Sequence, residues 1–212
     1  MANRGKLFVV SGPAGAGKSE IVKTLLKKHP DVKLSVSCTT RAPRPGEVNG
    51  VHYHFVSDEE FDRLIAEKAF YEWAHVHQNR YGTLKSVVQE QLELGNDLIL
   101  EIDVQGCSQV ISQDDSAVGI FVSPPSRENL EKRLRARGTE SEESIRVRLN
   151  NVAGEVATAY QYKYIIIHQD WAVQPNALEV AAEEVYSIIS AKRCEVAARK
   201  YFLDQLSSEL KA

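Results

Sequence analysis

A glycine-rich octapeptide near the start of the chain constrains the fold more than any other segment. It runs from Gly12 to Ser19 and matches the pattern G-x-x-x-x-G-K-S. An apolar segment at 7–10 predicts a buried strand before it, and a helical pattern at 21–28 follows it. Glycines let consecutive backbone N–H groups point inward, and the helix N-terminus adds the positive end of its dipole. The segment therefore predicts a loop that wraps a phosphate chain.

Two side chains of this loop carry the chemistry expected at a nucleoside triphosphate. Lys18 is expected to reach the β- and γ-phosphates, and the hydroxyl of Ser19 to ligate Mg²⁺. A glycine-rich turn with an incidental lysine is the alternative, but the flanking strand and helix favour nucleotide binding. The predicted ATP-binding residues of the loop are Gly12, Pro13, Ala14, Gly15, Ala16, Gly17, Lys18 and Ser19.

Predicted strands alternate with predicted helices along the rest of the chain. Further strands are predicted at 51–56, 98–104, 117–122 and 163–167. Further helices are predicted at 58–68, 85–94 and 127–137, and from 176 to the end. This alternation predicts an α/β fold with a parallel sheet covered by helices on both faces. Two polar segments, 35–81 and 133–148, fit the pattern poorly and predict a small lobe and a flap.

Composition and charge limit the classes of function. Of the 212 residues, 43% are hydrophobic and 26% charged, which is typical of a globular protein in water. The formal net charge of −3 argues against nucleic acid as a partner. Three widely spaced cysteines indicate a reducing compartment. Because the apolar run before Ser11 has only four residues, we expect no signal peptide or membrane span, and a cytoplasmic protein.

A second group of short segments bears on the identity of the phosphoryl acceptor. The sequence reads SCTTRAPRPGE at 37–47, GVHY at 50–53, FYEWA at 70–74 and YGT at 81–83. This arrangement resembles the guanylate kinase family, whose S-x-T-T-R-x-P-R-x-G-E block is long and highly specific. The resemblance extends from about Lys6 to about Ile189, which is nearly the whole chain.

The resemblance implies a fold and an activity. The fold is an α/β, P-loop NTPase-type parallel sheet with helices on both faces, a small GMP-binding lobe and a mobile lid. The activity is transfer of the γ-phosphate of ATP to GMP or dGMP in purine nucleotide metabolism, with Mg²⁺ as cofactor. Monomer and homodimer both stay open. One domain, 1–212, would comprise a core (5–34, 96–132 and 156–190), the lobe (35–95), the lid (133–155) and a C-terminal helix (175–212).

The residues of the acceptor block have the chemistry that GMP requires. Arg41 and Arg44 offer two guanidinium groups to a monophosphate dianion, and tyrosine hydroxyls can add donors. The Glu72 carboxylate can accept from both N1–H and N2–H₂ of guanine. A solvated basic turn and a surface acid are the alternatives for these residues taken singly. By resemblance the GMP-binding residues are Ser37, Arg41, Arg44, Glu47, Tyr53, Glu72, Tyr81, Thr83, Glu101 and Asp103, with Ser37 and Thr83 donating to O6.

Two acids close an apolar segment of the predicted core. Glu101 and Asp103 are two residues apart, so we expect them on one face of a strand. A carboxylate facing the phosphate loop would hold Mg²⁺ or its waters. The family usually has D-I-D here, so Glu101 is a departure, and a salt bridge at the strand end is its alternative role. We therefore expect Asp103, with Ser19, to be the metal ligand.

The polar flap resembles the lid of the family. Arg133, Arg137 and Arg148 lie at the arginine positions of the motif R-L-x-x-R-G-x-[DE]-[ST]-E-E-x-I-x-x-R. They would neutralise the charge that spreads over the transferring phosphoryl group. Surface ion pairs are the alternative for Arg135 and Arg146, which lie off the motif. The expected catalytic residues are Lys18, Arg44, Arg137 and Arg148, and Arg133 is expected to bind ATP.

The adenine side of the site matches the family less well. Where the family tends to have N-D-D after the last core strand, this chain has His168, Gln169 and Asp170. The first two are still expected to contact ATP. Two other functions stay open: a non-catalytic scaffold module that binds phosphopeptides, and a kinase for ribose bisphosphate. The intact Lys18 argues against the first, and the guanine-reading set that includes Glu72 argues against the second.

Overall fold

The computed structural model describes residues 4–76, 78–136 and 141–211, and Arg137, one of the expected catalytic arginines, lies outside them. Strands and helices alternate along the chain, as the sequence predicts. In chain order they are β1 (Leu7–Ser11), α1 (Lys18–Lys28), β2 (Val32–Leu34), β3 (Cys38–Thr39), β4 (His54–Phe55), α2 (Asp58–Ala66), β5 (Phe70–Val76), β6 (Asn79–Leu84), α3 (Lys85–Glu93), β7 (Asp97–Glu101), α4 (Val104–Gln113), β8 (Val118–Ser123), α5 (Arg127–Ala136), α6 (Glu142–Ala157), β9 (Tyr164–Ile167), α7 (Ala177–Arg193) and α8 (Lys200–Glu209).

The main sheet has five strands in the order β2-β7-β1-β8-β9, all parallel. In the central strand, Leu7 lies opposite Leu98 and Phe8 opposite Val118. Side chains alternate between the two faces of β1. Phe8 packs beneath α1 and α7, and Leu7 packs towards α3 and α4. The predicted α/β fold with a parallel sheet and helices on both faces is confirmed.

A second, smaller sheet has the order β4-β3-β6-β5 and is mostly antiparallel. It has a core of its own, in which Cys38, Phe61 and Phe70 are buried. The helix α2 begins at Asp58, because the Ser57 hydroxyl accepts a hydrogen bond from the backbone N–H of Glu60.

Residues 35–95, which were expected to form one lobe, pack in two different parts of the structure. The small sheet and α2 lie together, whereas α3 turns its buried Val88 and Leu92 towards the main sheet. There they pack with Leu7 and Leu98. Residues 85–93 therefore belong to the main core by contact, and the small sheet forms the rest of the expected lobe.

Three predicted elements differ from the structure. The strand predicted at 98–104 ends at Glu101, because Asp103 caps a helix, α4, that the sequence did not reveal. The strand predicted at 51–56 reduces to His54–Phe55. The single helix predicted from 176 to the end is wrong, because α7 stops at Arg193 and a 3₁₀ turn separates it from α8.

The helices α5 and α6 flank residues 137–140 and pack on each other. Leu130 and Leu134 of α5 meet Ile145 and Leu149 of α6 in a small apolar cluster. Ser141 caps α6 by accepting from the backbone N–H of Ser144. None of the helices in the described part of the chain is long and apolar enough to cross a membrane.

Candidate active site

The loop between β1 and α1 is shaped by glycines in left-handed conformations. Gly12 has φ 140° and Gly17 has φ 97°. A Cβ atom on Gly12 would lie 2.2 Å from the carbonyl oxygen of Val122, and one on Gly17 would lie 2.3 Å from Nδ1 of His168. The loop is thus pressed against the carboxyl ends of β8 and β9, where any larger residue would displace the backbone.

Lys18 lies at the first position of α1 and turns back over this loop. Its Nζ donates to the carbonyl oxygens of Gly12, at 2.7 Å, and Pro13, at 3.0 Å. The ammonium therefore lies along the loop backbone, beside the N–H groups that precede the helix. Such a concave array of backbone donors with an adjacent cation suits a phosphate chain.

The two acids after β7 have different partners. The Glu101 carboxylate accepts a hydrogen bond from the Ser19 hydroxyl. Asp103 lies beyond the strand, and its Oδ1 accepts from the backbone N–H of Gly106 at 2.8 Å as the N-cap of α4. The expectation that both share one strand face is wrong, because the strand ends at Glu101. Glu101, the departure from the family pattern, is the acid that contacts the loop.

The oxygen donors at this point fit Mg²⁺. Among the described residues, no group of three or more His, Cys, Asp or Glu side chains could hold a metal ion. Mg²⁺ in phosphoryl-transfer sites is held by one or two protein oxygens together with substrate phosphates and water. The hydroxyl of Ser19 and the carboxylate of Glu101 supply hard oxygen donors of that kind.

Arg133 joins the phosphate loop to the end of β9. Its Nη1 donates to Ala16 O at 3.0 Å, and its Nη2 donates to His168 O at 3.0 Å and Gln169 O at 2.8 Å. Burial lowers the pKa of Arg133, although Asp170 opposes this. Burial also lowers the pKa of His168, and its Nδ1 lies 2.9 Å from Ala16 O. His168 therefore lies against the loop, and Gln169 is connected to the loop through Arg133.

A cleft of about 160 Å³ lies between the small sheet and the end of β7. It brings together residues that are distant in sequence, since its walls come from the segment after β2, from β6 and from the end of β7. Its polar lining includes Ser35, Ser37, His52, Tyr53, Thr83 and Glu101. Of the expected acceptor residues, Ser37, Tyr53 and Thr83 thus line the cleft beside Glu101, the acid that contacts Ser19, whereas Arg41, Arg44, Glu47, Glu72, Tyr81 and Asp103 are not part of its lining.

Glu72 is the buried acid next to this cleft, with 8% of its surface exposed. It pairs with Thr83 across β5 and β6, and its Oε1 accepts from the Thr83 hydroxyl at 2.6 Å. Its Oε2 lies against α4, since a Cβ on Gly106 would be 3.3 Å away. Burial, together with the charge of Asp103, raises the pKa of Glu72, and the Thr83 hydroxyl opposes the rise.

Arg41 is held in place by a carboxylate and by aromatic rings. Its Nη2 donates to Glu47 Oε1 at 2.8 Å, and Glu47 Oε2 accepts from the backbone N–H of Arg44 at 2.7 Å. Arg41 lowers the pKa of Glu47 to about 2. The guanidinium lies 5.3 Å from the Tyr53 ring, which meets Tyr81 edge-on at 5.9 Å. Glu47 therefore contacts the side chain of Arg41 and the backbone of Arg44. The side chain of Arg44 is exposed.

The other arginines of the expected lid fall into two groups, those in surface ion pairs and one that is partly buried, as the sequence suggests. Arg135 pairs with Glu131 and Glu142, and Arg146 pairs with Glu143, so both form surface ion pairs. The alternative reading of these two residues is confirmed. Arg148 lies two residues further along α6 and is partly buried.

Sequence reasoning missed Ser35 as a residue of the cleft. Its hydroxyl is buried, has no hydrogen-bond partner among the described residues, and lines the cleft together with Ser37. The spacing of two residues in an extended segment, which directs both side chains to one side, was the available signal. It was masked because a lone serine outside the family block is ordinarily uninformative.

A glycine-rich phosphate loop at the end of a parallel sheet, with a cleft lined by hydroxyls and a carboxylate beside it, is typical of a P-loop kinase that phosphorylates a small acceptor. The family model described as guanylate kinase matches residues 4–192. Two curated relatives carry that name: one from Shewanella sp. (strain MR-7), 44% identical over the full length of both chains, and one from Caldanaerobacter subterraneus, 46% identical over 93% of this chain and 92% of its own.

A solved structure agrees with these relatives. The crystal structure of guanylate kinase from Anaplasma phagocytophilum matches with a TM-score of 0.67 and 31% identity, covering 92% of this chain and 89% of that one. The chain belongs to the guanylate kinase family, whose function is the ATP-dependent phosphorylation of GMP to GDP.

Proposed function

We propose that the cleft between the two sheets binds GMP or dGMP and that the loop at 12–19 binds ATP. The observation that carries this proposal is the buried carboxylate of Glu72, hydrogen-bonded to Thr83 beside a cleft that also contains Ser37. A buried carboxylate next to hydroxyl donors is the complement of guanine, which has two N–H donors and one carbonyl acceptor on the same edge.

Base recognition rests on the pairing of these donors and acceptors. The Glu72 carboxylate would accept from guanine N1–H and N2–H₂, and the Ser37 hydroxyl would donate to O6. Thr83 would donate to O6 only when its single hydroxyl proton turns away from Glu72 Oε1, to which it donates in this structure. Ser35 Oγ, buried and without a partner among the described residues, is a further candidate donor at the same edge. Because the burial of Glu72 disfavours its charge, a ligand that brings two donors should stabilise the ionised form.

The phosphate group of GMP would bind at the turn that carries Arg41 and Arg44. Arg41 and Arg44 would meet the dianion, with the hydroxyls of Tyr53 and Tyr81 as neutral donors. Glu47 acts here through its partner: it holds the Arg41 guanidinium from the side at 2.8 Å and the Arg44 backbone at 2.7 Å. A preorganised arginine loses less side-chain entropy when the phosphate arrives.

On the donor side, the loop N–H groups and Lys18 would bind the polyphosphate. Arg133, His168 and Gln169 would close the adenine side, supported by the hydrogen bonds of Arg133 to the loop. We infer that Ser19 and Glu101 would hold Mg²⁺, with one oxygen of Asp103 committed to α4. When bound, this ion neutralises negative charge on the β- and γ-phosphates.

Phosphoryl transfer needs no general base in this site. A phosphate oxygen of GMP attacks the γ-phosphorus of ATP, a new P–O bond forms, and the bond to the β-phosphate oxygen breaks, so that GDP and ADP are the products. The attacking oxygen carries no proton to remove. Lys18, Arg44 and Arg148, with Arg137 from outside the described residues, would stabilise the charge on the transferring group.

We further infer that the protein works in the reducing cytoplasm, as a monomer or a homodimer. The inference on the compartment is supported by the cysteines, because Cys38, Cys107 and Cys194 are all free. Analytical ultracentrifugation would distinguish the monomer from the homodimer.

The test is an ADP-release assay with MgATP and each nucleoside monophosphate in turn. We expect turnover with GMP and dGMP, and at least about 10⁴-fold lower kcat/KM with AMP, the discrimination that paired hydrogen bonds can provide. Comparable rates with AMP or CMP would overturn the assignment of the cleft. A matched assay without acceptor measures ATP hydrolysis and corrects the rates.

A further inference from the structure

The strand β5 contains one residue more than β6 where the two strands pair. Glu72 lies opposite Thr83, and the residues that follow Glu72 pair one to one with β6. On the other side, Phe70 lies opposite Leu84, which is the next residue of β6 after Thr83. Tyr71 is therefore an extra residue without a counterpart on β6. Such a β-bulge bends the strand and redirects the side chains next to it.

The packing of the side chains shows the consequence of the bulge. Residues three apart in a regular strand point to opposite faces. Here the ring of Phe61 in α2 lies 4.5 Å from that of Phe70 and 6.2 Å from that of Trp73. Of the two residues between them, Tyr71 is buried in the core of the main sheet, and the Glu72 carboxylate lies against α4. A strand without the bulge would direct Glu72 to the face of Phe70.

Side chains of the main domain hold the extra residue. Nε2 of Gln113, at the end of α4, donates to the backbone carbonyl of Tyr71 at 2.5 Å and to that of Gln109 at 3.1 Å. The Tyr71 hydroxyl accepts from Nε2 of Gln89 at 2.6 Å and donates to Oδ2 of Asp114 at 3.3 Å. Because a bulged residue is left unpaired in the ladder, the Gln113 amide satisfies a carbonyl that would otherwise lack a strand partner.

We propose that Gln113 is a positioning residue for guanine recognition, because it holds the bulge that directs Glu72 towards α4 and the acceptor site. The proposal rests on the proposed function, in which the Glu72 carboxylate binds N1–H and N2–H₂ of guanine. Gln113 is not among the residues that line the acceptor cleft, so it acts on the base through Tyr71 and Glu72. Base selectivity is thus set in part from the surface of α4, outside the cleft.

Removal of this hydrogen bond should reduce the selectivity for guanine. Gln113→Met keeps the length of the side chain and removes the donor. We expect kcat/KM for GMP to fall about three- to tenfold, the effect of one neutral hydrogen bond, with kcat/KM for AMP unchanged. The Kd for ATP, measured by calorimetry without GMP, should stay within about twofold of wild type, because the hydrogen bonds of Gln113 lie within α4 and to β5. A loss of folded protein would lower both rates equally and leave their ratio unchanged.

Two further variants separate the hydrogen bond from the shape of the side chain. Gln113→Lys supplies a donor of similar reach, so it should recover most of the ratio of GMP to AMP activity. Gln109→Met is the matched control, because Gln109 lies one turn earlier on the same helix and is also exposed. Among the described residues it contributes only its backbone carbonyl to hydrogen bonds with side chains. We expect this control to leave the ratio unchanged.

A double-mutant cycle tests whether Gln113 acts through Glu72. Residues that belong to one chain of contacts have effects that do not add. In the Glu72→Gln background, Gln113→Met should therefore change the ratio of GMP to AMP activity by less than about twofold. Additive effects of the two substitutions would mean that Gln113 acts by another route and would overturn the proposal.

The remaining outcomes are equally decisive. A ratio that falls in Gln113→Met and is recovered in Gln113→Lys supports the proposal, and a ratio that Lys does not recover opposes it. If Gln113→Met does not fold, Gln113→Glu decides by the same ratio, since the ionised carboxylate has no donor. A ratio that changes in Glu72→Gln but not in Gln113→Met would overturn this inference alone. A ratio unchanged in both would overturn the proposed guanine site as well, so the two failures are distinguishable.

Discussion

The donor loop and the acceptor cleft are built on opposite principles. The donor loop uses the backbone of eight consecutive residues, fixed by glycine conformations and by contacts with the ends of β8 and β9. The acceptor cleft uses side chains from separated segments, which the small sheet and β7 bring together. A backbone site recognises any polyphosphate, whereas a side-chain site can select one base. The two halves should therefore respond differently to substitution.

The largest effect is expected in the donor loop. Lys18→Ala should reduce kcat by about 10²–10⁴, the scale on which one preorganised charge acts on a transferring group. Binding of GMP, measured by titration without ATP, should be nearly unchanged because Lys18 Nζ contacts Gly12 and Pro13 of the loop. Lys23→Ala, on the exposed side of α1, is the control. Near-normal turnover would contradict the assignment of the loop.

The acceptor cleft should show a change of selectivity. Glu72→Gln replaces half of the buried acceptor by a donor, so kcat/KM for GMP should fall by at least about 100-fold, as for a charged hydrogen-bond pair. The rate with AMP relative to GMP should rise. Exposed Glu90→Gln should alter neither value.

An unchanged ratio of GMP to AMP activity would mean that Glu72 does not read the base. The comparison of the two halves would then fail, since selection would have to come from outside the cleft. Protein stability must be measured in parallel, because Glu72 also accepts from Thr83 in the small sheet.

The lid arginine should act on the transferring group and not on the resting acceptor. Arg148→Ala should lower kcat by about 10–100-fold with less than about a threefold change in KM for GMP, the pattern of a contact made in the transition state. Arg146→Ala serves as control, since Arg146 pairs with Glu143 at the surface. A raised KM with normal kcat would assign Arg148 to ground-state binding.

The same contrast explains what the sequence could predict. The donor site is contiguous, so strand, loop and helix were all recognisable from residues 7–28. The helix α4 was missed because Gly106 and Ser108 lower its intrinsic propensity and because Asp103 reads as part of a strand. The edge strand β2 has three residues, too few for a periodic pattern.

The proposed acceptor site was predicted by resemblance, and its internal arrangement was not predicted. The partnership of Glu101 with Ser19 and that of Glu47 with Arg41 depend on side-chain directions in folded loops. The packing of α3 on the main sheet likewise follows from which face Val88 and Leu92 present. These are tertiary properties, and no spacing in the sequence encodes them directly.

The smallest effect is expected at Glu47, which contacts the Arg41 side chain and the Arg44 backbone and would act on GMP through these two residues. Glu47→Gln keeps one acceptor oxygen for Arg41 and Arg44 but removes the negative charge. KM for GMP should therefore rise about three- to tenfold, with kcat nearly unchanged. Glu67→Gln is the control, because Glu67 also pairs with an arginine, Arg63, but at an exposed position. A fall in kcat without a change in KM would mean that Glu47 stabilises the transition state and does not contribute to GMP binding.

The acidity of Glu47 gives this prediction a second test. Its pKa is lowered to about 2 by Arg41, so the carboxylate stays charged well below the ordinary range of a glutamate. The contact it makes is therefore complete above pH 4.5 and is lost only as the pH falls towards 2. Between pH 8 and 5, the ratio of KM for GMP in Glu47→Gln to that in wild type should stay above one, because Glu47 keeps its charge over this whole range. A ratio that approaches one at about pH 5 would mean that Glu47 is already protonated there in the wild type, and that Arg41 is not its partner in solution.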